Sequence, residues 1–345
     1  METLEADRRS RVDFCGGRRV TRGLVIGKFY PPHRGHKFLI DTAAAHIDHL
    51  DVVVCSRPKE NPSAALRAKW LKEIHPDVHV IRRKDPGGHD DDSQFWADYT
   101  RKILGTAPDI VFTSERYGDD FARYLGCRHI CVDLDRTTFQ ISGTQVRENP
   151  RKYWEFLDPC VRAFYAARVC VVGAESTGTT TLTKDLAEHY ETVWVPEYGR
   201  TYTERLHQAG VNTFVYHWRT DEFVHIARQQ QVDEDRLARD ANRIFFCDTD
   251  ALATAIWHQR YVGTWSDEVA EIADRRRYDL YLLTNCEIPF EQDGVRDGER
   301  IRQWMTQRFT EELTKRGLPW VLVKGSREER LTGAIQEIEK RIVLG

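Results

Sequence analysis

Gly23-Leu-Val-Ile-Gly27-Lys-Phe-Tyr-Pro-Pro-His33-Arg-Gly-His36 and, later in the chain, Val169-Cys-Val-Val-Gly173-Ala-Glu-Ser-Thr-Gly178-Thr179-Thr180 are two versions of one arrangement. Each has a short apolar run, a glycine-bearing loop and the start of a polar helix. An apolar run this short reads as a strand covered on both faces, and a strand that leads through a glycine loop into a helix opens a parallel α/β unit. Further runs follow each opening: Leu50–Cys55, Asp109–Thr113 and His129–Asp133 after the first, and Thr192–Pro196, Ile244–Asp248, Asp279–Leu283 and Pro319–Val323 after the second. Amphipathic stretches separate them. The expected fold is α/β, with two parallel-sheet domains. A length of 345 residues suits two domains, each large enough to bury its own core. The expected division is an arm over 1–22, a first domain over 23–150, an aromatic-rich connecting helix over 151–167 and a second domain over 168–345.

Composition excludes several classes. The chain is 41% hydrophobic and 30% charged, and no apolar run approaches the roughly 20 residues of a membrane-spanning helix. No secretory leader is legible at the start, so a cytoplasmic location is expected. A formal net charge of −3 gives no general attraction to nucleic acid. The basic arm (Arg8, Arg9, Arg11, Arg18, Arg19, Arg22) reads as a solvated leader, and specific DNA binding is not expected. The eight cysteines form no C-x-x-C pair and read as buried thiols; Cys127, His129 and Cys131 read as part of a packed strand. His89 with Asp90, Asp91 and Asp92 reads as a solvated loop. Oligomeric state stays open, a homo-oligomer included.

The first loop places His33 and His36 three residues apart at the positive end of a helix dipole, where phosphate is attracted, and Gly35 lets backbone approach a ligand closely. A second element, Ile141-Ser142-Gly-Thr144-Gln-Val-Arg147, opens another helix with hydroxyls and an arginine. The two together resemble the HxGH and ISxTxxR elements of the nucleotidyltransferase superfamily. Such residues suit in-line displacement at the α-phosphate of ATP by a second phosphate. That chemistry needs positioning and charge neutralisation rather than a strong base. His33, His36, Lys28 and Arg147 are the catalytic candidates; Gly27, Phe29, Gly35, Ser142 and Thr144 would hold ATP. Trp96 would stack on the acceptor's ring.

The second loop has the spacing of a P-loop but lacks its lysine: position 179 is threonine. Gly173, Glu175, Ser176, Thr177, Gly178, Thr179, Thr180 and Thr181 would cradle phosphate. Thr180, Asp248 and Asp250 form the candidate magnesium set, and Arg296, Arg300 and Arg302 a candidate lid. Glu197 is positioned to accept a proton from a ribose hydroxyl, with Tyr198 and Arg200 beside it for substrate.

With both loops in this order, and Tyr153-Trp154-Glu155 between them, the chain resembles the NadR family from residue 23 to residue 342. The resemblance implies an adenylyltransferase converting nicotinamide mononucleotide to NAD, fused to a kinase for nicotinamide riboside. Both halves would use ATP with Mg2+. Some members carry an N-terminal helix-turn-helix; the residues before the first strand here are too few for one. Two other readings stand beside this one: a nucleotidyltransferase for a different cofactor precursor, and a transferase whose second domain binds nucleotide as a sensor without turnover.

Overall fold

The computed structural model describes residues 20–290 and 301–344. The chain forms two compact units, Met1–Val161 and Arg162–Gly345. In the first, β1 (Arg22–Gly27), β2 (His49–Ser56), β3 (His79–Lys84), β4 (Ile110–Thr113) and β5 (Arg128–Cys131) form one sheet of order β3-β2-β1-β4-β5. All its pairings are parallel. Neighbouring residues of one strand serve opposite cores: Val25, Val52 and Val54 pack on one face, Leu24, Val53 and Val111 on the other. That is why these strands read as unbroken apolar runs.

One strand escaped the sequence reading. His79-Val-Ile-Arg-Arg-Lys84 lies at the sheet edge with Val80 its one buried residue, so it shows no apolar run. The connecting segment also differs from the single helix expected over 151–167. A turn of 3-10 helix, Trp154–Phe156, is followed by a short α-helix, Pro159–Tyr165, and the next strand already begins at Ala167. The proline accounts for the interruption, because the residue before it is steered out of helical backbone.

In the second unit β6 (Ala167–Gly173), β7 (Trp194–Val195), β8 (Ile244–Asp248), β9 (Leu280–Thr284) and β10 (Trp320–Val323) form a parallel sheet of order β10-β9-β6-β8-β7. Val169, Val171, Phe246, Leu280 and Leu282 share a core with the helices Thr179–His189 and Arg327–Arg341. In both sheets the strand preceding the glycine loop is central and has neighbours on each side. Each loop therefore emerges at the point where strand order reverses, which is where open parallel sheets form ligand crevices. Among the described residues no helix is long and apolar enough to cross a membrane.

Candidate active sites

After β1 the chain passes through Phe29, a buried residue held in left-handed backbone (φ 46°), and enters the helix Arg34–His46. His33 is the N-cap of that helix by position but makes no side-chain capping bond. Its ring instead stacks on His36, with centroids 3.8 Å apart and planes inclined by 28°. Phe29 closes on His36 edge-on at 5.1 Å. A Cβ at Gly35 would lie 3.1 Å from the His33 ring, so the stack depends on that glycine.

The Nδ1 atoms of both histidines are buried without a hydrogen-bond partner. Burial pushes His33 far below the usual imidazole range, helped by His36 and Arg136. It lowers His36 to about 4, again with a contribution from Arg136. Both rings are thus neutral at pH 7, and what they offer a phosphate is a hydrogen-bond donor rather than a charge. The fixed charge comes from Lys28, Arg136 and Arg147. Arg136, on the loop after β5, carried no motif and was not anticipated.

Ser142 begins the short helix Gly143–Glu148 in a reciprocal capping box with Gln145: it accepts from the Gln145 backbone N–H at 3.3 Å and donates to Gln145 Oε1 at 2.9 Å. Arg147 donates to the Tyr30 carbonyl (2.6 Å) and to Thr144 Oγ1 (2.8 Å) and lies over the Tyr30 ring. This arginine ties the two halves of the pattern together across 117 residues. All nine residues assigned to this site apart from the acceptor's ring partner line one cleft of about 370 Å³, with Arg136 and Tyr117. Trp96 does not line it. Its indole N–H donates to the His89 carbonyl (2.7 Å), and its ring packs edge-on against Phe95 and Tyr99. His89 itself stacks flat on Phe95, and Asp92 caps the following helix. His129 is held between Asp119 (2.7 Å) and Thr113 (2.9 Å).

The second site is built from backbone. At Gly173 an added Cβ would meet Thr284 Oγ1 at 2.1 Å, and Gly178 turns left-handed (φ 81°) into the helix at Thr179. Thr177 is buried, donating to the Ala174 carbonyl at 2.6 Å and meeting Thr284 Oγ1 at 2.7 Å. Two arginines hold the loop's carbonyls. Arg302 donates to Ser176 O (3.3 Å) and Ile288 O (2.7 Å), which turns the candidate lid residue into a brace for the loop. Arg330, more deeply buried than Arg302, donates to Thr177 O (2.6 Å), Gly325 O (2.9 Å) and Asn285 O (3.1 Å); sequence reading missed it, since it belongs to no motif. With these carbonyls bound from outside, the loop's N–H groups are left for the concave side. Glu175 pairs with Arg260 at 3.0 Å, and Thr181 is exposed on the helix surface. Arg296 and Arg300 lie outside the described residues.

Thr180 Oγ1 donates to Asp248 Oδ2 at 2.5 Å. Burial raises the Asp248 carboxyl above the usual range, against the opposing effects of the Thr180 hydroxyl, Arg200 and Lys184. Asp250 separates from this pair. It caps the helix Ala251–Val262, accepting from Ala253 N–H (2.9 Å) on one oxygen and from the Tyr281 hydroxyl (2.8 Å) on the other. Its two oxygens are taken by the fold. Glu197 and Arg200 line a second cavity of about 110 Å³ with Glu175 and the aromatic walls Trp218, Trp257 and Tyr261. Tyr198 is not among its lining residues; its hydroxyl contacts His225 and Arg205.

A family model described as an AAA domain matches residues 168–330. The "Trifunctional NAD biosynthesis/regulator protein NadR" of Escherichia coli K12 is 29% identical over 299 residues, covering 80% of this chain and 72% of that protein. Its Salmonella typhimurium LT2 counterpart is 28% identical over 317 residues, covering 85% and 76%. In fold, the chain is similar to crystal structures of NadR protein in complex with NR (TM-score 0.76, 21% identity, 93% of this chain and 96% of that one) and with NAD and AMP-PNP (TM-score 0.75, 22% identity, 94% and 96%). The likeness runs through both sheets and the segment joining them rather than through one common module, and over most of its length the chain is similar to proteins named NadR.

Proposed function

We propose that this chain forms NAD and pyrophosphate from nicotinamide mononucleotide and ATP in its first unit, and phosphorylates nicotinamide riboside with ATP in its second. The observation that carries the first assignment is the cleft itself, where neutral, stacked His33 and His36 face Arg147 and Thr144. In this reading the mononucleotide phosphate attacks the α-phosphorus of ATP, the bond to pyrophosphate breaks, and no proton need be removed from the nucleophile. His33 and His36 donate hydrogen bonds to the reacting phosphate, while Lys28, Arg136 and Arg147 offset the charge that moves onto the leaving group.

For the second unit, relatives named for NAD biosynthesis and structures holding NR or AMP-PNP support a riboside kinase. Glu197 takes the ribose hydroxyl proton as its oxygen attacks the γ-phosphorus of ATP, and ADP leaves. The riboside's pyridinium ring is cationic, which suits a cavity with aromatic walls and carboxylates. Thr180 and Asp248 fit a magnesium ion: Asp248 Oδ1 is buried with no hydrogen-bond partner, a carboxylate oxygen suited to a hard cation. When bound with ATP, magnesium neutralises phosphate charge. Thr179 supplies no cation, and Arg302 is committed to backbone carbonyls, so Arg200 takes the missing lysine's part. It already acts on Asp248 and lines the cavity.

The test is riboside-dependent ADP release with Mg-ATP in a His36→Ala background, which removes the first reaction. Wild type turns over, Thr179→Lys at least matches it, and Glu197→Gln loses about a hundredfold. No release from wild type with clear release from Thr179→Lys would leave the second unit a nucleotide sensor.

A further inference from the structure

At the end of the first sheet remote from the cleft, where β1 and β2 begin, three side chains from two strands meet on a single oxygen atom. His49 and Asp51 are two residues apart on β2 and share a face, and Asp51 stands opposite His79 in the β2–β3 register. Asp51 Oδ1 is 2.7 Å from His79 Nδ1 and 3.2 Å from His49 Nε2. The carboxylate is 1% exposed, whereas the two imidazoles are 43% and 59% exposed. Its other oxygen is held by Arg22 at 3.0 Å, and Arg22 is itself steadied by Thr106 at 2.9 Å.

We propose that His49, Asp51 and His79 form a binding site for a divalent transition-metal ion of the zinc class. The inference is independent of the catalytic reading. The three ligand atoms lie within 4.8 Å of one another. Around a cation at about 2.1 Å, tetrahedral ligands stand roughly 3.4 Å apart, so small ring rotations convert the two hydrogen bonds into coordination. Three protein ligands leave a fourth position for water on the exposed side. Arg22 fixes the carboxylate's orientation as an outer partner, which a ligating Asp usually requires.

Local charge selects the class of metal. Arg22, Lys72, Arg82 and Arg83 line the same groove, so a hard ion held by charge alone would meet four fixed cations with one carboxylate in its favour. Binding must come from imidazole nitrogen, which favours zinc, cobalt, nickel or copper over magnesium or calcium. A bound ion would link the starts of β2 and β3, and so tie down the edge strand, whose one buried residue is Val80.

The experiment uses the full chain and the metal alone. Cobalt(II) is titrated at neutral pH and its visible absorption followed, with zinc-dependent thermal unfolding measured in parallel. One equivalent binds with a four-coordinate spectrum. Each of His49→Gln and His79→Gln weakens binding about tenfold or more, and the zinc-dependent rise in Tm disappears in the double variant. Both histidines are exposed, so these variants leave the core intact; circular dichroism checks this. His36→Ala, which breaks the chain's other close histidine pair, leaves the cobalt titration unchanged. Absence of cobalt binding by wild type, or an affinity unchanged in either glutamine variant, overturns the site.

Discussion

The two glycine loops leave their central strands at equivalent places and solve phosphate binding differently. The first, Gly27–His36, presents side chains: a stacked histidine pair over Gly35, with Lys28, Arg136 and Arg147 around the cleft. The second, Gly173–Thr180, presents backbone, and two arginines, Arg302 and Arg330, hold carbonyls of the loop. A site made of side chains fails when one of them changes. A site made of backbone N–H groups tolerates threonine in place of lysine at position 179, provided the loop keeps its shape.

The largest effect expected from this contrast is at Arg330, which never touches a phosphate in the proposed mechanism. Arg330→Ala would leave the Thr177, Gly325 and Asn285 carbonyls without their donor and a buried space unfilled, costing about 3 to 5 kcal/mol in the second unit. Urea unfolding should show that unit's transition moved to lower denaturant, with riboside phosphorylation lost and the first reaction retained. Wild-type stability and ATP affinity in Arg330→Ala would mean the loop holds its own shape.

Next in size is His36→Ala. It removes a donor aimed at the reacting phosphate and should lower NAD formation from nicotinamide mononucleotide about a hundredfold, equivalent to about 2.7 kcal/mol, with unchanged circular dichroism. Full activity would end the side-chain account of the first site.

The smallest expected effect is on stability against pH. The folded-state pKa of His36 is lowered to about 4, so between there and the ordinary imidazole value the unfolded chain binds a proton that the folded chain refuses. Stability from this group is therefore full above about pH 6.5 and falls as pH drops towards 4, by about 2 kcal/mol at pH 5. His33 is shifted in the same direction and further, so its contribution also begins to fall below about pH 6.5 and goes on falling below pH 4. Urea unfolding of the first unit at pH 7 and pH 5, for wild type and His36→Gln, measures this. Equal pH dependence in the two proteins would show that the pair is not held neutral by burial.

Much of this arrangement was legible beforehand. The strands under both loops have apolar side chains on both faces, and such runs can be recognised in a linear sequence. Apart from Trp96, the residues assigned to the first site meet in one cleft because loop and helix starts carry them within a few residues of a strand end. Elsewhere the reading stopped where geometry took over. β3 was overlooked because its second half, Arg82-Arg83-Lys84, is charged and Val80 is its one buried residue, so no apolar run forms. Asp248 and Asp250 look equivalent in Phe245-Phe-Cys-Asp-Thr-Asp250, yet Thr249, with φ 66°, turns the chain between them, and Asp250 becomes a helix cap.

By itself, the amino-acid sequence determined the two parallel sheets, the placement of a glycine loop after each central strand and the loss of the P-loop lysine. These depend on local periodicity and on residue types at short spacing. Only the tertiary structure decided what the long charged side chains do: that Arg302 and Arg330 brace carbonyls, that Arg136 joins the first cleft, and that His49 and His79 converge on Asp51. An arginine or histidine can reach several partners from one backbone position. Which it meets depends on strand order, register and the burial of its neighbours, none of which is written at the spacing of adjacent residues.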